Sequence, residues 1–304
     1  MPIQKNDSPT EFETHGKFTE TRMKILRIVT AAVFILSVIL WGIGRFHAIR
    51  QDTVPPVISS FIDVLSVRTD ADEAELKKGL TAEDNTDGDV TDSIVIANIS
   101  RFTEKGVCRI EYLAFDRSNN IAHYERTVRF EDYRSPEIRL TAPLMYVQNK
   151  EILLTDRIFA RDCLDGDISE KLRFTSVGVS AYDTGVYELH AEARNSYGDT
   201  VRETFLLNVI PFEYNRGQIT LTEYLIHVPA GEEVFPEAYI REAADEDGNP
   251  IPAETVIITR EADLSKPGTG QFRYEIIDAN GNVAAVTFLA VIVTDPADMP
   301  GQEG

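Results

Sequence analysis

The amino-acid sequence predicts an all-β protein: three tandem β-sandwich domains after one N-terminal transmembrane helix. Three observations carry that prediction. Ile28–Gly44 is a run of 17 uncharged residues, IVTAAVFILSVILWGIG. The remainder holds three copies of one set of landmarks, roughly 80 residues apart. Within each copy, apolar residues alternate with polar ones, the period of a half-buried strand.

Composition narrows the class. The 304 residues are 43% hydrophobic and 26% charged, with 18 Gly, 14 Pro and 2 Cys, which excludes a collagen-like, wholly disordered or disulfide-stapled chain. The 30 basic and 50 acidic residues give a net charge of −20, a field that repels phosphate backbones, so no nucleic-acid partner is expected. The charge is uneven: residues 1–45 carry +2 and residues 46–304 carry −22.

Residues 1–24 hold Pro2, Pro9, Thr10 and Thr14 among charged residues with no core-forming set, and are expected to be a disordered cytoplasmic tail. Residues 25–45 are expected to be a membrane signal anchor. Their uncharged run makes roughly 26 Å of helix, and Arg27 and Trp41 stand at its ends, where a snorkelling cation and an interfacial indole belong. A cleaved signal peptide fits less well, because the apolar run is long and Gly44-Arg45-Phe46-His47-Ala48 is a poor cleavage site. Lys17, Arg22, Lys24 and Arg27 precede the run, against Arg45 and Arg50 after it, which puts the N-terminus inside and the C-terminal domains outside. Residues 46–54 are expected to be a linker.

The repeats follow. Ala82–Ile94 (AEDNTDGDVTDSI), Ala160–Leu172 (ARDCLDGDISEKL) and Ala243–Ile251 (AADEDGNPI) align, with Asp87, Asp165 and Asp247 spaced by 78 and 82. A strand then starts at Gly106, Gly185 and Gly270, and each unit closes on an apolar strand: Arg126–Phe130, Phe205–Val209 and Phe288–Val293. In the second unit Tyr187, Leu189 and Ala191 alternate with polar positions before the turn Asn195–Asp199, which reads as a hairpin. Asn280-Gly281 supplies the positive φ that the corresponding third turn needs. One short helix is expected over Asp72–Lys78, stopped by Gly79. The domains are drawn at 55–132, 133–212 and 213–296, joined by short segments such as Tyr133-Arg134-Ser135-Pro136 that should bend little, with a disordered tail at 297–304.

This order of motifs resembles bacterial Ig-like domains, closest to the surface repeat of the pesticidal crystal protein Cry22-type Ig-like domain, related to HYR modules. The resemblance covers roughly residues 53–295. Asp278-Ala279-Asn280-Gly281-Asn282-Val283-Ala284 matches the family's closing hairpin, and Asp116-Arg117-Ser118-Asn119-Asn120-Ile121-Ala122 matches with Asn for Gly. The second unit departs, with Arg194 at the Asp position. The resemblance implies display, spacing or adhesion at a bacterial cell surface.

The candidate chemistry is acidic. Asp84, Asp87 and Asp89, and Asp162, Asp165 and Asp167, alternate around Gly turns and offer the oxygen ligands that Ca²⁺ prefers, although the spacing is not that of an EF-hand. The plainer reading, turns whose side chains cap their own backbone, is preferred, and no cofactor is required. Cys108 falls on an inward strand position equivalent to Tyr187 and Phe272, and Cys163 in an acidic turn, so a core thiol is preferred over a disulfide. The five histidines are scattered, and no nucleophile elbow or phosphate loop occurs, so no enzyme activity is expected. The resulting expectation is a single-pass membrane protein presenting an extracellular Ig-like array as a non-catalytic spacer, scaffold or interaction module. Specific binding of a wall polysaccharide or protein partner, with calcium stiffening the joints, is the alternative. Tyr146, Tyr182 and Tyr224 would then form a platform, or else pack in the cores.

Overall fold

The computed structural model describes residues 11–50, 52–176 and 178–296. The expected tails at 1–10 and 297–304 lie outside them. Helix α1 spans Glu11–Arg50, and within it Arg22–Arg45 is long and apolar enough to cross a membrane, with mean hydropathy 2.3 and no residue of that window covered by the rest of the protein. The helix therefore takes in residues 11–24, expected as a disordered tail, and 46–50, expected as linker. Glu, Lys, Arg and Met are good helix formers, and an existing helix extends more easily than it nucleates.

Two compact units follow from the fold. One comprises residues up to Ser59, Thr81–Ile94 and Leu113–Ala122; the other comprises Ser60–Leu80, Val95–Tyr112 and residues from His123 onward. The first repeat contributes β1 (Val57–Ser60), β2 (Val64–Val67), β3 (Leu80–Asp84), β4 (Gly88–Asp89), β5 (Val95–Ile99), β6 (Val107–Phe115) and β7 (Ile121–Phe130). These form two sheets, β1-β3-β4 and β2-β7-β6-β5. Between β2 and β3 lies α2 (Glu73–Leu76), capped by the Asp72 carboxylate on the Glu75 N–H and followed by Gly79 at φ 80°, as the sequence predicts.

The second repeat runs through β8 (Glu137–Leu140), β9 (Met145–Val147), β10 (Ile158–Asp162), β11 (Gly166–Asp167), β12 (Arg173–Ser176), β13 (Gly185–Arg194) and β14 (Thr200–Ile210). Its sheets are β8-β10-β11 and β9-β14-β13-β12. The third has β15 (Gln218–Leu221), β16 (Leu225–Pro229), β17 (Ile240–Ala244), β18 (Ile257–Arg260), β19 (Gly268–Ile277) and β20 (Val283–Thr294), in sheets β15-β17 and β16-β20-β19-β18. In all three repeats a long antiparallel hairpin forms the middle of the larger sheet, and an early strand (β2, β9 or β16) pairs parallel to its second arm. The fold is all-β and Ig-like, as the repeated landmarks predict. The hairpin turns need a left-handed residue at one position, supplied by Asn119 (φ 64°), Gly198 (φ 92°) and Gly281 (φ 81°).

Alternation along the hairpins builds the cores. Leu189, Ala191 and Ala193 of β13 join Phe205, Leu207 and Val209 of β14 in the second core, and Phe272, Tyr274 and Ile276 of β19 fill the third. Cys108 is fully buried and free, its thiol pushed up to about 11 by burial, while Cys163 is an exposed free thiol 3.1 Å from the Arg134 carbonyl. Tyr146 is buried and Tyr224 packs against the third core, so of the three expected platform tyrosines Tyr182 alone is well exposed.

The opposite parity of the same strands is also buried where the second and third repeats meet. β20 is buried at every position from Ala284 to Val291, which a sheet with one wet face would not allow. Its Ala290 joins the second repeat's core, and Ile210 of β14 packs with Val286 and Phe288 of β20. At the centre of this contact Asn208 and Gln271, both 2% exposed, exchange amide hydrogen bonds of 2.8 and 3.2 Å. The Thr269 hydroxyl donates to the Thr204 carbonyl, and His227 on β16 meets the Glu203 carboxylate at 2.8 Å. Aromatic rings also pack at the joint Tyr133–Pro136. The Phe102 ring stacks on Tyr197 at 4.8 Å and meets Tyr133 edge-on at 4.7 Å, and the Phe102 N–H donates to the Tyr197 carbonyl.

Two of the polar contacts between these repeats can be measured. Asn208→Ala leaves Gln271 Oε1 buried without its donor, while Nε2 keeps Glu261, and should lower unfolding stability by about 1–3 kcal/mol, read by urea denaturation. The His227 imidazole is raised above its usual 6.5, by its hydrogen bond to Glu203 first and then by the charges of Glu203 and Glu137, against the effect of burial. A raised folded-state value stabilises fully below about 6.5 and fades as pH rises through it. Melting temperature should therefore fall more between pH 6 and pH 9 in the natural protein than in His227→Gln.

Candidate functional site

Each repeat has two tight turns close together: the one that leaves the second strand of the smaller sheet, and the central hairpin of the larger sheet. Both need a side-chain oxygen to take backbone N–H groups that no strand partner reaches. In the first turn that residue is Asp84, Asp162 or Asp245. Asp84 Oδ1 accepts from the Thr86 and Asp87 N–H groups at 2.8 Å, Asp162 Oδ1 from Leu164 and Asp165 at 2.9 Å, and Asp245 Oδ1 from Asp247 at 3.0 Å and Asn249 at 2.8 Å. In the hairpin it is Asp116, Asn195 or Asp278. They accept from the N–H groups of Asn120 at 2.7 Å, Asp199 at 2.9 Å and Asn282 at 2.9 Å.

The chain that enters each repeat adds a third side chain, and here the repeats differ. In the second, the Tyr133 hydroxyl donates to Asp199 Oδ2 at 2.8 Å, and the Asn195 amide donates to Tyr133 at 2.9 Å and to Asp162 Oδ2 at 3.1 Å. Burial, with the Asp199 carboxylate beside it, pushes the Tyr133 hydroxyl well above the usual phenol value, so it stays a donor. In the third, Arg216 bonds Asp278 at 2.9 Å and Glu246 at 2.8 Å and holds the Asp278 carboxyl down to about 2. In the first, the incoming residue is Asp52. Oxygens of Asp52, Asp84 and Asp116 all lie within 4.8 Å of one another. The Val54 N–H and the Thr86 hydroxyl hold the Asp52 carboxyl below the usual range.

The sequence-derived acidic sets do not converge as written. Asp87 accepts the Arg117 N–H at 2.8 Å, Asp89 the Thr91 N–H at 2.9 Å, and Asp167 the Ser169 N–H and hydroxyl at 2.9 and 2.6 Å. Asp165 takes Lys171 Nζ at 2.8 Å and both donors of Ser196 at 2.7 Å. Burial pushes the Asp165 carboxyl up, but Lys171 and Ser196 outweigh it and leave it below the usual range. Asp89 and Asp167 serve their own turns, and Asp87 and Asp165 tie theirs to the hairpin turn at Arg117 and Ser196. Asp84 alone of the six joins a carboxylate cluster among the described residues, with Asp52 and Asp116, which composition and spacing within one turn do not reveal.

A second feature is a cleft of about 1060 Å³ along β8, β15 and β16, with Arg139, Phe159, Tyr224, Glu232, Phe235 and Arg241 among its walls. It combines exposed aromatic and apolar surface with charges of both signs.

No protein-family profile matches the chain. Over 187 residues, 59% of the chain, the sequence is 26% identical to the pesticidal crystal protein Cry22Aa of Bacillus thuringiensis, and it spans 25% of that protein's length. Among solved structures, it is similar to the CBM51-2 and INT domains of Clostridium perfringens ZmpB, solved in complex with GlcNAc (16% identity, TM-score 0.21, 50% of this chain and 27% of that one). It is also similar to domains EC1-3 of Drosophila N-cadherin (10% identity, TM-score 0.30, 81% and 91%) and to the protocadherin GammaB4 extracellular domain (14% identity, TM-score 0.19, 80% and 50%).

Tyr133→Phe removes a donor from Asp199 and an acceptor from the Asn195 amide. It should cost about 1–3 kcal/mol of stability, measured by denaturant unfolding, without changing the fold seen by far-UV circular dichroism.

Proposed function

We propose that the chain is a single-pass membrane protein that displays three Ig-like domains, residues 55–132, 133–212 and 213–296, outside a bacterial membrane as a non-catalytic spacer, scaffold or interaction module. The observation that supports this most directly is helix α1, whose apolar stretch Arg22–Arg45 runs into a chain of β-repeats within a dozen residues. Its N-terminal flank is the more basic one, which favours a cytoplasmic N-terminus and an uncleaved anchor. The strong negative charge of the exported part would hold the array off an anionic envelope. Three of the five histidines sit apart, His123 against Glu111, His190 against Thr204 and His227 against Glu203, an arrangement in keeping with a structural part for these three.

The cleft along β8, β15 and β16 favours the second reading, recognition of an envelope polysaccharide or protein. Phe235, 57% exposed, offers a ring face for a sugar to stack on, while Arg139 and Arg241 offer charge to acidic groups.

The topology is tested on intact cells that express the full chain with a C-terminal tag. External protease should remove the tag; complete protection until the membrane is permeabilised would reverse the orientation. Phe235→Ala should reduce retention on isolated cell envelope if the cleft is the binding face, and unchanged retention would leave the spacer reading standing alone.

A further inference from the structure

The three repeats give an internal comparison that isolates one position. At the meeting point of the two turns, the Tyr133 hydroxyl and the Asn195 amide donate to the carboxylates of the second repeat, and the Arg216 guanidinium pairs with those of the third. The first repeat places a third carboxylate there instead of a donor. Asp84 is 7% exposed and Asp116 is 6% exposed. Asp84 Oδ2 is buried with no hydrogen-bond partner, and so is Asp52 Oδ2. Among the described residues, no Lys or Arg forms an ion pair with any of the three. Three carboxylates this close, two of them with orphaned oxygens, repel one another and carry a large desolvation cost unless a cation stands among them.

We propose that Asp52, Asp84 and Asp116 bind one Ca²⁺ ion. The donor set is all hard oxygen, without the nitrogen or sulfur that would select zinc. Two oxygens that each stand about 2.4 Å from one Ca²⁺ can be at most about 4.8 Å apart, and all three ligand oxygens satisfy that span. The local hydrogen bonds already fix the ligands: Asp84 Oδ1 is held by two backbone N–H groups, leaving Oδ2 unpartnered, and the Asn120 amide steadies Asp116 at 2.6 Å and the Asp52 carbonyl at 3.1 Å. Water completes the coordination shell. The ion joins three segments far apart in sequence: the stretch just past α1, the turn after β3 and the β6–β7 hairpin. It takes the place that Tyr133 and Arg216 fill in the later repeats, which therefore need no metal.

The test is isothermal titration of CaCl₂ into the full chain in detergent micelles, first stripped with chelator, alongside thermal melting with Ca²⁺ and with chelator. The expected result is one site per chain and a higher melting temperature with Ca²⁺. Asp84→Asn and Asp52→Asn should each weaken binding at least tenfold, while Asp165→Asn in the second repeat leaves it unchanged. Circular dichroism reports whether Asp84→Asn still folds; if it does not, Asp52→Asn decides, since Asp52 precedes the first strand. No heat and an unchanged melting point in the natural protein would overturn the proposal, as would natural affinity in Asp52→Asn. Equal affinity for Mg²⁺ would overturn the assignment to Ca²⁺.

Discussion

Every repeat depends on one obligation: two neighbouring tight turns expose backbone N–H groups that only a short side-chain oxygen can reach. Asp or Asn answers it six times, at Asp84, Asp116, Asp162, Asn195, Asp245 and Asp278. The solution brings acidic groups together at the entry end of each repeat, so whatever chain enters there must offset them. A phenol and an amide do so in one repeat and a guanidinium in another. The repeats are thus alike in backbone and different in how the charge at that end is balanced.

Much of this fold is legible in the sequence because it is local. The alternation of Leu189, Ala191 and Ala193, the Asp72 cap with Gly79, and the left-handed Asn119, Gly198 and Gly281 all act over a few residues. The acidic turns are equally legible as turns: Asp89 and Asp167 cap the backbone two residues on, whereas Asp87 and Asp165 reach the Arg117 and Ser196 N–H groups of the hairpin turn, about thirty residues away. The partnership of Asp52 with Asp84 and Asp116 is not legible, because it links positions 32 and 64 residues apart and shows only when the chain is folded. Helix α1 exceeds the apolar run for a related reason. A helix already formed recruits flanking residues whose composition alone does not call for order.

The contact between the second and third repeats was written in the sequence in a form easily read as something else. The run FLAVIV in β20 has the continuous apolar character of a strand covered on both faces, yet it also fits the closing strand of a simple sandwich. What distinguishes them is a pair of polar residues, Asn208 and Gln271, on the outward parity of β14 and β19. Buried amides bond well only in one register, so they fix how the two sheets lie against each other where apolar groups alone would allow sliding. The small side chain of Ala290 lets β20 approach the second core closely.

That β19 and β20 follow β14 in the chain gives the contact between these repeats a direction in time. A chain delivered N-terminus first presents β14 well before β19 and β20; Asn208 waits for Gln271, and Ile210 for Val286 and Phe288. The second repeat's own strands are made early, but its core takes in Ala290 and its outer surface is covered by β20, so both wait on residues 283–294. Any break in synthesis or clipping that removes β20 thus strips both the third repeat's central strand and the cover of its neighbour.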